Sequence, residues 1–253
     1  MVDLTIVSCL APCFGQADFE GAAQLFQPLL AAGIPIVVYV EDAWKGRLEA
    51  RGLGDATRLH ETSSTRRAAG FALRAELEAA RAASSCPALP PFDYFVTTLT
   101  KMGMLHDQSI WNPFGTRHLA WIDPDVPASV HPRYFTDEHI LDALPCLLRR
   151  FLLLARPSAV TDAAGVPAAS RVQGQLFGGE LAEIAHANGL YYQLLEQALR
   201  RGELPTDESL FTRMLERDAG RFDRFVLQDN GLLGFLFEEM RAGRVSIERT
   251  KLH

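Results

Sequence analysis

Apolar residues fall along this chain in two rhythms. Leu4 to Leu10 (Leu-Thr-Ile-Val-Ser-Cys-Leu) and Ile34 to Val40 are short, nearly continuous aliphatic runs, the pattern of strands buried on both faces. Between them, Asp18 to Ala32 carries Phe19, Ala22, Leu25, Phe26, Leu29 and Leu30 at helical spacing, and Gly33 is placed to end the helix. Strand, helix and strand in that order make a βαβ unit, which predicts a parallel sheet.

The alternation continues down the chain. Ala43 to Arg51 reads as a short helix backed by Gly52 and Gly54, and Thr57 to His60 as a short strand. Arg66 to Ala83 reads as a long exposed helix, with Arg66, Arg67, Arg74 and Arg81 on its solvated face; phosphate contact from Arg66 or Arg67 is the alternative. After the connector Ala88-Leu89-Pro90-Pro91, Asp93 to Thr98 (Asp-Tyr-Phe-Val-Thr-Thr) is rich in aromatic and β-branched residues and reads as a third strand, followed by a helix from Lys101 to Ile110. Leu119 to Ile122 is a fourth. These four strands are expected in one mainly parallel sheet with helices on both faces, an α/β fold.

Beyond Val126, further strands are expected at Arg150 to Ala155, Arg171 to Gly179 and Phe222 to Leu227. Helices are expected up to Leu144, over Glu180 to Arg201, over Asp207 to Arg217 behind a Thr206 N-cap, and over Leu232 to Met240. Pro157 to Ala169 is loop-like, with small residues and two prolines, and is the candidate for a mobile lid. The chain shows no internal repeat and reads as a single domain.

With 253 residues, 48% of them hydrophobic and 22% charged, a substantial core is expected. The formal charge of −6 argues against a duplex-DNA binder, which normally presents a basic stripe. A small polyanion can still be held where a metal or a few cations outweigh that charge at short range. Cys9, Cys13, Cys86 and Cys146 are scattered, without zinc-ligand spacing, and read as thiols in a reducing compartment. A signal-peptide pattern and a membrane-length apolar run are both lacking, so a soluble cytoplasmic protein is expected.

The strand Leu119 to Ile122 ends on Asp123-Pro124-Asp125. In open α/β sheets ligands bind outside the carboxyl ends of the strands, and carboxylates presented there suit Mg²⁺ or Mn²⁺, which also neutralise phosphate. Pro124 fixes its own φ and biases Asp123 towards an extended conformation, holding the pair stiffly. The other reading is an ordinary Asx-type turn closing the strand. Neither G-x-G-x-x-G nor G-x-x-x-x-G-K-[ST] occurs in the first half, which disfavours a dinucleotide or P-loop site.

Several segments in fixed order carry a resemblance. Thr100-Lys101-Met102, Trp111-Asn112-Pro113-Phe114 with Trp121-Ile122-Asp123, Gly178-Gly179 before a long helix, and Thr206-Asp207-Glu208-Ser209 together resemble the bacterial HtrL/YibB-like family, which is related to GT-A-type glycosyltransferases. Members often carry Trp-Ile-Asp followed by a small residue and Gly, so this chain departs from the pattern at Pro124-Asp125. The resemblance implies a GT-A-like, Rossmann-type fold with a nucleotide-sugar-binding half over residues 1–126 and an acceptor-side half over 127–253. It also implies an Mn²⁺ or Mg²⁺ ion held by an Asp-x-Asp motif, here Asp123 and Asp125.

The same resemblance implies roles for other residues. Lys101 would reach the phosphates or sugar of the donor. Ser8, Cys9, Glu41 and Asp42, where the first two strands end, would contact base and ribose. Gly178 and Gly179 would let backbone approach the sugar, and Asp207 or Glu208 would face the acceptor as general base. Each also has a plain structural reading: a solvated lysine, hydrogen-bonded strand ends, a strand-to-helix turn, a capped helix start. Apart from the resemblance, His131 or His253 could supply a metal nitrogen, although a lone His is a weak signal. The expected function is metal-dependent transfer of a sugar from a nucleoside-diphosphate sugar to an unassigned acceptor, inverting or retaining. A nucleotidyltransferase would use the same metal–diphosphate grip but usually has a Gly-rich basic loop after its first strand, where this chain has Ala11-Pro12-Cys13-Phe14-Gly15-Gln16. A non-catalytic nucleotide- or carbohydrate-binding protein is the third reading.

Overall fold

The alternating segments fold into a seven-stranded mixed sheet in the order β3-β2-β1-β4-β6-β5-β7. Its strands are β1 (Leu4–Leu10), β2 (Ile36–Val40), β3 (Leu59–Ser63), β4 (His118–Ile122), β5 (Phe151–Ala155), β6 (Val172–Glu180) and β7 (Phe222–Val226). The structure is a computed structural model and describes residues 3–11, 18–50, 59–63, 73–84, 91–137, 139–156, 172–228 and 233–248. Cys13, Cys86, the Arg66–Arg67 pair, the candidate lid at 157–169 and His253 lie outside the described residues.

Only β6 runs against the others. β1 pairs in parallel with β2 and β4, β2 with β3, and β5 with β7, whereas β6 is antiparallel to both β4 and β5. The carboxyl ends of six strands and the start of β6 therefore share one edge of the sheet. β1, β2, β4 and β5 are buried along their whole length; their largely apolar runs include the polar Thr5, Ser8 and His118, which hydrogen-bond to Thr116, Ile122 O and Asp3 O.

Helices cover both faces. On one face lie α1 (Phe19–Ala31) and a 3-10 segment at Ile140–Leu147, with a core that includes Phe26, Phe135, Leu144 and Phe237. The other face is covered by α2 (Arg74–Ala83), α3 (Phe92–Trp111), α4 (Leu181–Arg200) and α5 (Asp207–Arg217), over Val96, Leu105, Trp121, Phe177 and Phe211. The last helix, α6 (Leu233–Arg241), joins the first core through Leu236 and Phe237. No helix among the described residues is long and apolar enough to cross a membrane.

The expected third strand, Asp93 to Thr98, is instead the first part of α3, whose 20 residues run without a break through Lys101. Its β-branched residues suggested a strand, but the helix accommodates them by local hydroxyl bonds. Thr97 Oγ1 donates to Asp93 O (2.7 Å), Thr98 Oγ1 to Phe95 O (2.9 Å) and Thr100 Oγ1 to Thr97 O (2.8 Å). Every residue from Phe95 to Leu105 is buried, because α3 is enclosed by the sheet and α4. Gly103 permits this closeness, since a Cβ there would lie 2.5 Å from Tyr192 Oη.

Gly178 and Gly179 are sheet residues. Gly178 faces Ala120 of β4 and Leu152 of β5, and an added Cβ would lie 2.2 Å from Leu119 O. At Gly179 it would lie 3.0 Å from Arg150 O. Their lack of a side chain serves close backbone approach between strands, not contact with a sugar.

Candidate active site

At the carboxyl edge of the sheet, segments remote in sequence converge on a cavity of about 490 Å³. Asp123 and Asp125 follow β4, Arg156 follows β5, Gln173, Gly174 and Gln175 open β6, Tyr94, Thr98 and Lys101 come from α3, and Thr206, Asp207 and Glu208 from the start of α5. The start of β6 reaches the cavity through a slip in pairing. Leu153 opposes Phe177 while Leu154 opposes Gln173, so Gly174, Gln175 and Leu176 have no counterpart on β5. Such bulges re-aim backbone beside sites. Here the bulge supplies Gln175 O to the Asp123 amide at 2.9 Å and Gly174 O to Lys101 at 3.3 Å.

The floor is a buried charge cluster. Lys101 Nζ lies 2.8 Å from Asp123 Oδ2 and 3.3 Å from Asp207 Oδ2, and the three residues are 3%, 7% and 7% exposed. Burial alone would lower the lysine pKa, but the two carboxylates hold it above its ordinary value. Burial pushes Asp123 up to about 6, against the pull of Lys101 and of the Trp121 indole N–H, which donates to Asp123 Oδ1 at 2.6 Å. Ammonium and indole both donate to this group, one to each oxygen, so the carboxylate is the form the geometry is built for. Gly174 is required in this arrangement, since a Cβ there would lie 2.5 Å from Asp207 Oδ2.

Glu208 stands apart from that triad. Arg156 Nη2 donates to its Oε1 at 3.2 Å and its Oε2 at 3.4 Å, and both side chains are partly exposed, 27% and 29%. Burial raises the Glu208 pKa, opposed first by Arg156. Behind it, α5 is closed by a capping box in which Thr206 and Ser209 bond each other's backbone, fixing where Asp207 and Glu208 leave the helix.

Five of the sequence-derived site residues thus meet: Lys101, Asp123, Asp125, Asp207 and Glu208. Neither a family-model scan nor a search of curated proteins gives a match. The geometry alone bears on their roles.

It revises several roles. Lys101 sits in mid-helix rather than opening one, and donates to Asp123 and Gly174 while paired with Asp207. An ammonium has three donors, and Asp123, Gly174 O and Asp207 lie within reach of them. Ser8 is fully buried with its hydroxyl bonded to Ile122 O at 2.7 Å, and Cys9 is fully buried beneath α3; neither meets the cavity. Glu41 and Asp42 follow β2 at the correct edge, but outside the cavity lining. His131 is exposed and accepts the Arg133 amide. Sequence reasoning missed Arg156, Gly174, Tyr94 and Gln175. A cation just after the apolar run Phe151–Ala155 was the signal for the first.

The residues suit a divalent ion brought in with a phosphate ligand rather than a metal held by protein alone. Among the described residues no group of three or more His, Cys, Asp or Glu is arranged to hold one. Asp123, Asp125, Asp207 and Glu208 against Lys101 and Arg156 leave the lining with two excess negative charges, which would repel a diphosphate by itself. Asp125 is exposed at the rim, whereas both oxygens of Asp123 already accept hydrogen bonds. One or two carboxylates completed by phosphate oxygens and water is the usual way Mg²⁺ is held.

Proposed function

We propose that this protein is a glycosyltransferase that uses a nucleoside-diphosphate sugar as donor. One observation carries the reading: Asp-Pro-Asp, Lys101 and the Asp207–Glu208 pair, far apart in sequence, line a single cavity at the carboxyl edge of a mainly parallel sheet. Its volume suits a ligand of nucleotide-sugar size, since small-molecule sites span roughly 300–1,000 Å³.

The donor diphosphate lies near Asp125, which would hold a divalent ion together with the phosphate oxygens; such an ion would supply positive charge to the leaving diphosphate. From below, Lys101 offsets part of the negative charge of Asp123 and Asp207 and holds both in place. In a direct displacement the acceptor hydroxyl attacks the anomeric carbon, the bond to the diphosphate oxygen breaks with its electron pair, and the hydroxyl proton passes to a carboxylate. Glu208 is that base, because Asp207 is committed to Lys101 and because burial raises the Glu208 pKa towards the range in which a base is effective at neutral pH.

The test is a panel of nucleoside-diphosphate sugars with Mn²⁺, reading release of nucleoside diphosphate against pH. Glu208 must be ionised to accept a proton, so the rate is expected to climb with pH through an acid limb above the ordinary glutamate value of 4.5. Glu208→Gln should slow turnover roughly 10²–10⁴-fold and erase that limb. A flat acid side, or full turnover in the variant, would remove Glu208 from the mechanism.

A further inference from the structure

The cavity lining contains two cations, and they differ in what they are able to do. Lys101 is buried and held by two carboxylates and a carbonyl. Arg156 has one carboxylate partner among the described residues, Glu208, and both remain partly exposed. A guanidinium presents five donors in a planar fork matched to carboxylate or phosphate oxygens. Here a single Nη2 engages both Glu208 oxygens, at 3.2 and 3.4 Å, so the pair is longer than a two-pronged Arg–carboxylate bond and most of the fork is uncommitted to Glu208.

We infer that Arg156 is an anion-binding residue for a phosphate or diphosphate group, and that the Glu208 carboxylate occupies its place until that group arrives. The inference rests on the reading of the cavity as a diphosphate-sugar site. A phosphate oxyanion bears more charge than a carboxylate and offers more acceptor oxygens, so it displaces Glu208 from the guanidinium. Glu208 is not set adrift, because the capping box fixes its backbone at the helix start and its side chain lies beside Gly174, where an added Cβ would be 3.8 Å from Glu208 Cγ. Losing Arg156 removes the main influence that opposes burial at Glu208, which makes it a stronger base. Donor binding and readiness to deprotonate the acceptor are thereby coupled through one exchange of partners.

Calorimetric titration with inorganic pyrophosphate in EDTA, at concentrations high enough to read the weak binding expected of a bare diphosphate against this lining, on wild type, Glu208→Gln, Arg156→Gln and the double variant, tests the exchange without any sugar transfer. Glu208→Gln should tighten pyrophosphate binding roughly twofold to fivefold, the range expected for releasing a partly exposed ion pair. Arg156→Gln should weaken binding, and in that background Glu208→Gln should recover little of its gain, since the two positions act through one contact. Asp125→Asn removes a nearby negative charge without touching the pair, so it reports the general charge effect to be subtracted. An equal gain from Glu208→Gln with and without Arg156 would overturn the inference, as would no gain or no pyrophosphate binding by any form. Because no metal or sugar is present, failure of glycosyl transfer leaves the outcome unaffected. Circular dichroism of each variant identifies any that does not fold, and Arg156→Lys then replaces Arg156→Gln: a point charge in place of the fork should also weaken binding.

Discussion

Lys101→Met should lower thermal stability by about 3–5 kcal/mol, the range for removing one partner from a buried ion pair. For a chain of this size that is roughly a 10 °C fall in unfolding temperature. Methionine fills a similar volume, so the loss comes from charge: Asp123 and Asp207, each 7% exposed, are left facing one another without a cation. The pH dependence gives the loss its signature. Asp123 already has a raised folded-state pKa, about 6, and removing the lysine raises it further. A carboxyl raised in the folded state contributes stability that is fully present below its unfolded value and lost as pH rises through its folded value. The gap between variant and wild type should therefore widen as pH rises above about 6, where wild-type Asp123 is ionised and the variant's is still held protonated, and shrink to a constant value as pH falls to about 6. A variant as stable as wild type at every pH would mean that no buried triad exists.

Asp125→Asn should do the opposite, leaving the fold nearly unchanged while nearly abolishing transfer. Asp125 is exposed, and a surface substitution of this kind alters stability by only about 0.5 kcal/mol. If its carboxylate meets the metal of the bound donor, the amide keeps the shape and loses the charge, so turnover should fall at least about 100-fold. More Mn²⁺ should then be needed for half-maximal rate. Equal turnover in the variant would make Asp-Pro-Asp a turn and nothing more. Asp123→Asn is a less clean substitution, because it also takes a partner from Lys101 and an acceptor from Trp121.

How far the sequence could be read depended on where each residue's partners lie. Nearly continuous apolar runs such as Ile36–Val40 and Phe151–Ala155 form buried strands, and they were legible. Asp93–Thr98 was not: a β-branched run enclosed by sheet and helix loses the polar face that marks an amphipathic helix, and only the spacing of Phe95, Leu99 and Met102 retained the helical period. The Asp-Pro-Asp turn was legible as chemistry because it follows a strand. That Asp123 turns inward and Asp125 outward depends on Lys101 and Trp121, and the position of Lys101 depends on Asp207 far along the chain. The role of Gly178 and Gly179 likewise follows from the backbones of β4 and β5, which no local pattern discloses.

On this account the cavity takes a nucleoside diphosphate together with a divalent ion. Differential scanning fluorimetry with a panel of nucleoside diphosphates, with and without Mn²⁺, tests it on wild type and Asp125→Asn. At a hundredfold excess over Kd a ligand stabilises its protein by about 2.7 kcal/mol, a shift of several degrees here. At least one nucleoside diphosphate should raise the wild-type transition by that much with Mn²⁺ and far less without it, and Asp125→Asn should lose the metal-dependent part. No shift with any member of the panel, or the same Mn²⁺-dependent shift in both proteins, would contradict the site proposed for this chain.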